Sequence, residues 1–212
     1  MSADMPPLSK PSLSYVPGGG QRPPPNSLGG RIFRLAGKLW MKLMGWKFAG
    51  EFPADKKFVI IGAPHTSNWD VPNLLAVASQ MGIKVHWLGK KEIFRWPIAG
   101  LMKKLGGIPI DRSGSHNVVD QTAATFGRRD EFYLVVPPEG TRGKVKYWKT
   151  GFYHIAHKAG VPIVLGFMDY STRTGGVGPA IMTSGDYEAD MVIIRKFYTS
   201  VKGKYPDQGP QG

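Results

Sequence analysis

The run KKFVIIGAPHTSNWDVPNLLAVASQMG, residues 56–82, decides how the chain is read. Residues 56–63 hold an apolar stretch without polar alternation, the pattern of a strand covered on both faces. Residues 71–82 carry apolar side chains at helical spacing and stop at Gly82. A doubly covered strand followed by a helix is the unit of an α/β sheet. His65 and Asp70 lie between the two, at the strand's carboxyl end, where open α/β sheets place their sites. Asn68 and Asp70 are both N-cap candidates. If the chain turns into the helix between the pair, Asp70 reaches back to the imidazole and fixes its tautomer. The other ring nitrogen is then left to take a proton, while Asp70 orients the ring and stabilises its charge. The plainer reading of the same residues is an exposed or capped loop histidine.

The alternation continues outward. Strands are expected at 83–90, 108–113, 131–137 and 161–170, and helices at 115–130 and 150–160, with a helix broken by Pro97 over 92–107. PAIMTSG (179–185) and ADMVIIRKFYT (189–199) read as late strands. The expectation is one α/β domain, residues 51–202, with a central mostly parallel or mixed sheet flanked by helices. Residues 1–30, rich in Pro, Gly and Ser, read as a disordered tail, and 203–212 as a flexible one. Over 31–50 an amphipathic basic helix is expected. Its apolar residues recur at 32, 35, 36, 39, 43 and 46, and Arg31, Arg34, Lys38 and Lys42 form the opposite stripe. Trp40 and Trp46 sit near the boundary. Such a helix either packs on the domain or lies in the interface of an anionic membrane, and these four cations and two tryptophans are the membrane-facing candidates.

Composition narrows the partners. Lys and Arg number 28 against 15 Asp and Glu, a formal net charge of +13, which favours an anionic partner: phosphate, nucleic acid or an anionic lipid surface. The absence of cysteine excludes disulfides, a thiolate nucleophile and cysteine-ligated zinc. No apolar run approaches the ~20 residues of a membrane-crossing helix, so membrane contact is expected to be peripheral. The N-terminus also lacks the apolar core of a signal peptide.

Three further blocks follow the histidine in order. GGIPIDRS (106–113) ends in Asp111 and Arg112, either a buried brace or a second positive charge. VVPPEGTRGK (135–144) ends a strand in a loop bearing Glu139, Gly140, Thr141 and Arg142. Arg142 has the fork geometry for a phosphate and Thr141 adds a donor, whereas Glu139 and Arg142 alternatively form a structural ion pair. VPIVLG (161–166) is physically a core strand.

Together these blocks resemble the glycerolipid acyltransferase family, whose best-known members are the 1-acylglycerol-3-phosphate acyltransferases. The resemblance rests on His65-Thr66-Ser67-Asn68-Trp69-Asp70, Gly107-Ile108-Pro109-Ile110-Asp111-Arg112, Pro138-Glu139-Gly140-Thr141-Arg142 and Val161-Pro162-Ile163-Val164, over roughly 50–190. It implies transfer of an acyl group from acyl-CoA or acyl-carrier protein to a lysophospholipid hydroxyl, with no acyl-enzyme, no metal and no bound cofactor. It implies His65 as general base and Asp70 as its orienter. Glu139, Gly140, Thr141, Arg142 and Arg112 would bind the acceptor and its phosphate, with Asp111 and Gly107 as structural support. The chain departs from the family pattern at Leu165 and Gly143, where a proline and a serine are common. Both lie toward the acceptor side. The expected partners are a lysophospholipid, an anionic membrane surface and an acyl-carrier protein, with no nucleic acid, at the cytoplasmic face of the membrane. The competing readings are a noncatalytic anionic-lipid-binding protein of the same fold, a nucleic-acid binder supported only by charge, and a hydrolase using water at the same base.

Overall fold

The computed structural model describes residues 15–16, 27–51, 53–110, 115–141, 143–145 and 147–208. In chain order the elements are β1 (Tyr15–Val16), α1 (Leu28–Met44), β2 (Lys47–Ala49), β3 (Lys57–Ala63), α2 (Asp70–Met81) and β4 (Val85–Lys90). There follow α3 (Ala99–Lys104), β5 (Gly107–Ile110), α4 (Ser115–Gly127), β6 (Phe132–Val136), α5 (Gly151–Ala159), β7 (Ile163–Asp169), β8 (Thr174–Ile181) and α6 (Tyr187–Tyr198). Five parallel strands lie in the order β7-β3-β6-β4-β5, and β8 closes the β7 side antiparallel, so the sheet is mixed. The outer edge of β8 takes β2 in parallel at Thr174–Gly176 and β1 antiparallel at Ala180 and Ile181.

β3 is central, and its alternate side chains feed two cores. Phe58 and Ile60 pack with Met41 of α1 and Ala76 and Val77 of α2. Val59, Ile61 and Ala63 pack with Phe126 of α4, Phe152 and Ile155 of α5, and Met191 and Ile194 of α6. This division explains the unbroken apolar run: successive residues point to opposite faces and both are covered. The helices after β3, β6 and β7's antiparallel return thus enclose the sheet, leaving its carboxyl edge for the loops.

The ends of the chain differ from the expected division. Tyr15–Val16, inside the expected N-terminal tail, is a strand on β8. The helix expected over 31–50 starts at Leu28, with the Ser27 hydroxyl accepting from Gly30 N–H, and ends at Met44. Gly45 takes φ 69° as its left-handed cap, and the chain then enters the sheet as β2. The segment 189–199 is helical rather than a strand. Asp186 caps it by accepting from Ala189 N–H, and Met191, Ile194 and Tyr198 are buried at helical spacing while Val192 and Ile193 are exposed. Its β-branched run imitated a strand, but only every third or fourth residue meets the core.

α1 is seated on α2 by a narrow face. A Cβ at Gly37 would stand 1.8 Å from Ser79 Oγ, and Met41 is buried beside it. The apolar stripe is turned outward: Leu28, Ile32, Leu35, Leu39 and Leu43 are 55–74% exposed. Trp46, expected among the membrane-facing residues, is buried, its ring edge-on to Tyr170 at 4.9 Å. The correction follows from Gly45, which turns the chain away from the helix stripe before residue 46. Trp40 is half-buried, toward α2. No helix among the described residues is long and apolar enough to cross a membrane.

Candidate active site

The loop 64–69 lies at the carboxyl end of β3, and the start of α2 bends it back on itself. Neither Asn68 nor Asp70 caps α2 with its side chain; the cap position is Trp69, without a side-chain bond. Asp70 turns toward the loop it has just left. Its Oδ2 accepts from the Ser67 N–H at 2.9 Å and lies 3.0 Å from His65 Nδ1. Its Oδ1 accepts from the Tyr170 hydroxyl at 2.6 Å. Burial alone would push this carboxyl up. The hydrogen bonds from His65, Tyr170 and Ser67, with the charge of His65, outweigh it and hold Asp70 below the ordinary aspartate value.

His65 is braced from the other side by Glu139, whose Oε1 accepts the His65 backbone N–H at 3.2 Å. Glu139 is buried, with Oε2 lacking a hydrogen-bond partner among the described residues. Burial raises its carboxyl above the ordinary glutamate value. Gly140, at φ 64°, is needed for close approach as well as for its backbone angle. A Cβ there would stand 2.7 Å from Lys149 Nζ, and the Lys149 N–H is held by the Pro138 carbonyl at 2.8 Å. Lys149 is therefore a cation set on the loop that follows β6. Thr141 is exposed, its hydroxyl accepting from Gly143 N–H at 3.4 Å. Gly107, at the start of β5, packs against the Phe94 ring and the Met102 carbonyl, consistent with a structural position. Arg112, Asp111 and Arg142 lie outside the described residues.

A cleft of about 1510 Å³ contains His65, Asp70 and Gly140 in its lining. Leu74 and Leu75 of α2, Met102 of α3 and Trp87 of β4 give it an apolar wall; Lys149 and His154 lie along another part. The described structure thus brings together the histidine, the aspartate and the loop after β6.

Two parts of the site escaped the sequence. Tyr170 lies just past β7, and nothing in its neighbourhood marks it as a partner of Asp70. The C-terminal segment, expected to be flexible from 203, lies on the histidine loop at residues 203–205. Tyr205 N–H donates to Thr66 Oγ1 at 3.2 Å, Gly203 is buried against Thr66 and Pro64, and Lys204 Nζ lies 5.1 Å from the centre of the Trp69 ring. Gly203 permits this close approach: a Cβ there would stand 2.8 Å from Thr66 Oγ1.

The chain is 30% identical over 145 residues to the 1-acyl-sn-glycerol-3-phosphate acyltransferase of Haemophilus influenzae, covering 64% of this chain and 58% of that relative. It therefore spans little more than half of that relative's length. Its fold is similar to the crystal structure of the 1-acyl-sn-glycerophosphate (LPA) acyltransferase PlsC from Thermotoga maritima. That similarity has a TM-score of 0.55 at 18% identity, over 82% of this chain and 81% of the other. The family model described as Acyltransferase matches residues 47–165, from β2 through the histidine loop and the loop after β6 to the middle of β7. The chain belongs to the acyltransferase family.

Proposed function

We propose that this protein transfers a fatty acyl group from a thioester, acyl-CoA or acyl-carrier protein, to the hydroxyl of a lysophospholipid such as 1-acylglycerol-3-phosphate. The observation that carries the reading is the 3.0 Å contact between His65 Nδ1 and Asp70 Oδ2 beside the cleft. With Nδ1 occupied as a donor to Asp70, His65 Nε2 is the basic nitrogen. It takes the proton of the acceptor hydroxyl as the hydroxyl oxygen attacks the thioester carbonyl carbon. The C–S bond then breaks, and the imidazolium returns the proton to the departing thiolate. Atoms and charge balance without an acyl-enzyme, which suits a chain with no cysteine. The apolar wall offers room for an acyl chain, and Lys149 beside Gly140 supplies positive charge for an acceptor phosphate, alongside the proposed Thr141, Arg142 and Arg112, while the buried Glu139 braces the His65 loop instead of meeting the phosphate. The outward apolar stripe of α1, bordered by Arg31, Lys38 and Lys42, suits contact with the anionic membrane that holds such a lipid.

The test is thiol release from acyl-CoA by the purified protein, with and without a panel of lysolipids, beside His65→Ala. Acceptor-dependent release abolished by the substitution supports the proposal. Equal release without acceptor identifies a thioester hydrolase. No turnover with CoA or carrier-protein donors, together with vesicle binding unaffected at His65 and Asp70, identifies a noncatalytic lipid-binding protein.

A further inference from the structure

A line of hydrogen bonds joins α1 to the histidine loop. Trp40 Nε1 donates to Asn73 Oδ1 at 3.0 Å, Asn73 Nδ2 donates to the Tyr170 hydroxyl at 3.2 Å, and that hydroxyl donates to Asp70 Oδ1 at 2.6 Å. The line begins on an interior-facing tryptophan of the helix whose other face is exposed, and ends on the carboxylate that holds His65.

The direction of this line follows from donor chemistry. An indole N–H donates and never accepts, so Asn73 must turn its Oδ1 to Trp40. That leaves the Asn73 amide nitrogen facing Tyr170, where it occupies a lone pair of the hydroxyl oxygen. The one tyrosine proton is then directed to Asp70, at the short distance typical of a hydroxyl donating to a carboxylate. With Oδ1 so engaged, Asp70 presents Oδ2 to Ser67 N–H and to His65 Nδ1. His65 consequently carries its proton on Nδ1 and keeps the Nε2 lone pair. A donor-only group, three side chains removed from the base, thus directs the Tyr170 proton to the carboxylate that fixes the His65 tautomer.

We propose that Tyr170 is a positioning residue for the His65–Asp70 pair, and that Trp40 acts through Asn73 to hold the Tyr170 hydroxyl in its donating orientation. The inference rests on the reading of His65 as the general base. It gives α1 a part in setting the chemistry, in addition to any contact it makes with lipid. Among the described residues, Glu139, whose carboxyl holds the His65 N–H, Tyr205, near Tyr170, and Lys204, over the Trp69 ring, are the other titratable groups beside the pair.

The experiment measures pH–rate profiles of full-length protein with octanoyl-CoA and 1-oleoylglycerol-3-phosphate in detergent micelles. Micelles separate the chemistry from vesicle binding. Wild type is compared with Tyr170→Phe, Asn73→Leu, Trp40→Phe and His65→Ala. Loss of a hydrogen bond to the buried carboxylate in Tyr170→Phe is expected to lower kcat roughly tenfold to a hundredfold. KM should change little. The acid limb of kcat/KM should move to higher pH, because a carboxylate without its phenol donor holds a proton more tightly, its own or that of the imidazolium. Asn73→Leu removes the donor that holds the Tyr170 hydroxyl toward Asp70 and adds no charge, so it should move the limb in the same direction. Trp40→Phe should move it less. Should Tyr170→Phe fail to fold, these two variants decide the matter, since both retain Tyr170. An inactive His65→Ala beside variants whose acid limb superimposes on wild type overturns the positioning role alone, even if their kcat is reduced. An active His65→Ala overturns the base reading and this inference with it.

Discussion

Asp70 keeps a charge where burial opposes one, and its contribution to stability therefore depends on pH. Its folded pKa is below the unfolded value, so its contribution to stability is complete above the ordinary aspartate range and is lost as pH falls through the folded value. Asp70→Asn should therefore lower the thermal midpoint most near neutrality, with the difference from wild type shrinking in acid. Thermal melts between neutral and strongly acidic pH check this. The same substitution should reduce acyl transfer by about 10²–10⁴-fold, because it leaves the base without its charged orienter. Glu139 has the opposite sign. Its carboxyl is raised by burial, so ionising it weakens the fold as pH rises through that raised value. Glu139→Gln retains an acceptor for the His65 N–H without a buried charge. Its thermal midpoint relative to wild type should climb with pH over the same melts.

At the scale of elements, α1 divides into a seated face and an outward one, and substitutions should separate them. Met41 is buried between α1 and the sheet, so Met41→Ala should destabilise by about 2–3 kcal/mol in chemical denaturation. Leu35→Gln with Leu39→Gln touches only exposed positions. It should leave stability within about 0.5 kcal/mol while weakening cosedimentation with anionic vesicles. Replacing Arg34, Lys38 and Lys42 by glutamate should weaken that cosedimentation too, more so at low salt. The reverse pattern, with stability lost in the leucine pair and vesicle binding intact, would make the outer stripe a packing surface. The helix was legible from its period of 3.6. Its orientation was not, because an apolar stripe reads the same whether it faces a core or a membrane. Gly37, whose residue type lowers helix propensity, is where α1 meets Ser79 of α2 too closely for any side chain.

Across the whole molecule, residues 202–205 lie against the histidine loop and Tyr170. Tyr170 N–H donates to the Lys202 carbonyl at 2.9 Å, and Gly203 and Tyr205 lie on Thr66. The same region therefore touches both the histidine loop and the tyrosine beside Asp70. A Cβ at residue 203 would stand 2.8 Å from Thr66 Oγ1 and 3.2 Å from Pro64 Cγ. Gly203→Val should displace the histidine loop and lower kcat, with a smaller effect on the thermal midpoint than Met41→Ala. Steady-state kinetics beside melting curves check the pair. If kcat is unchanged, the segment is a cover rather than part of the site's frame.

The residues by themselves determined the alternation of strands and helices, the position of His65 and Asp70 at a strand's carboxyl end, and the family. Each of these rests on neighbours within a few residues or on short ordered blocks, which local periodicity and motif spacing express. Tertiary structure alone decided that α6 is a helix, that the stripe of α1 faces outward, and which groups complete the pair. Tyr170 stands 100 residues from Asp70 and Trp40 stands 33 from Asn73. Hydrogen bonds of that reach have no local pattern, because they exist only after β7 is laid beside β3 and α1 is pressed against α2.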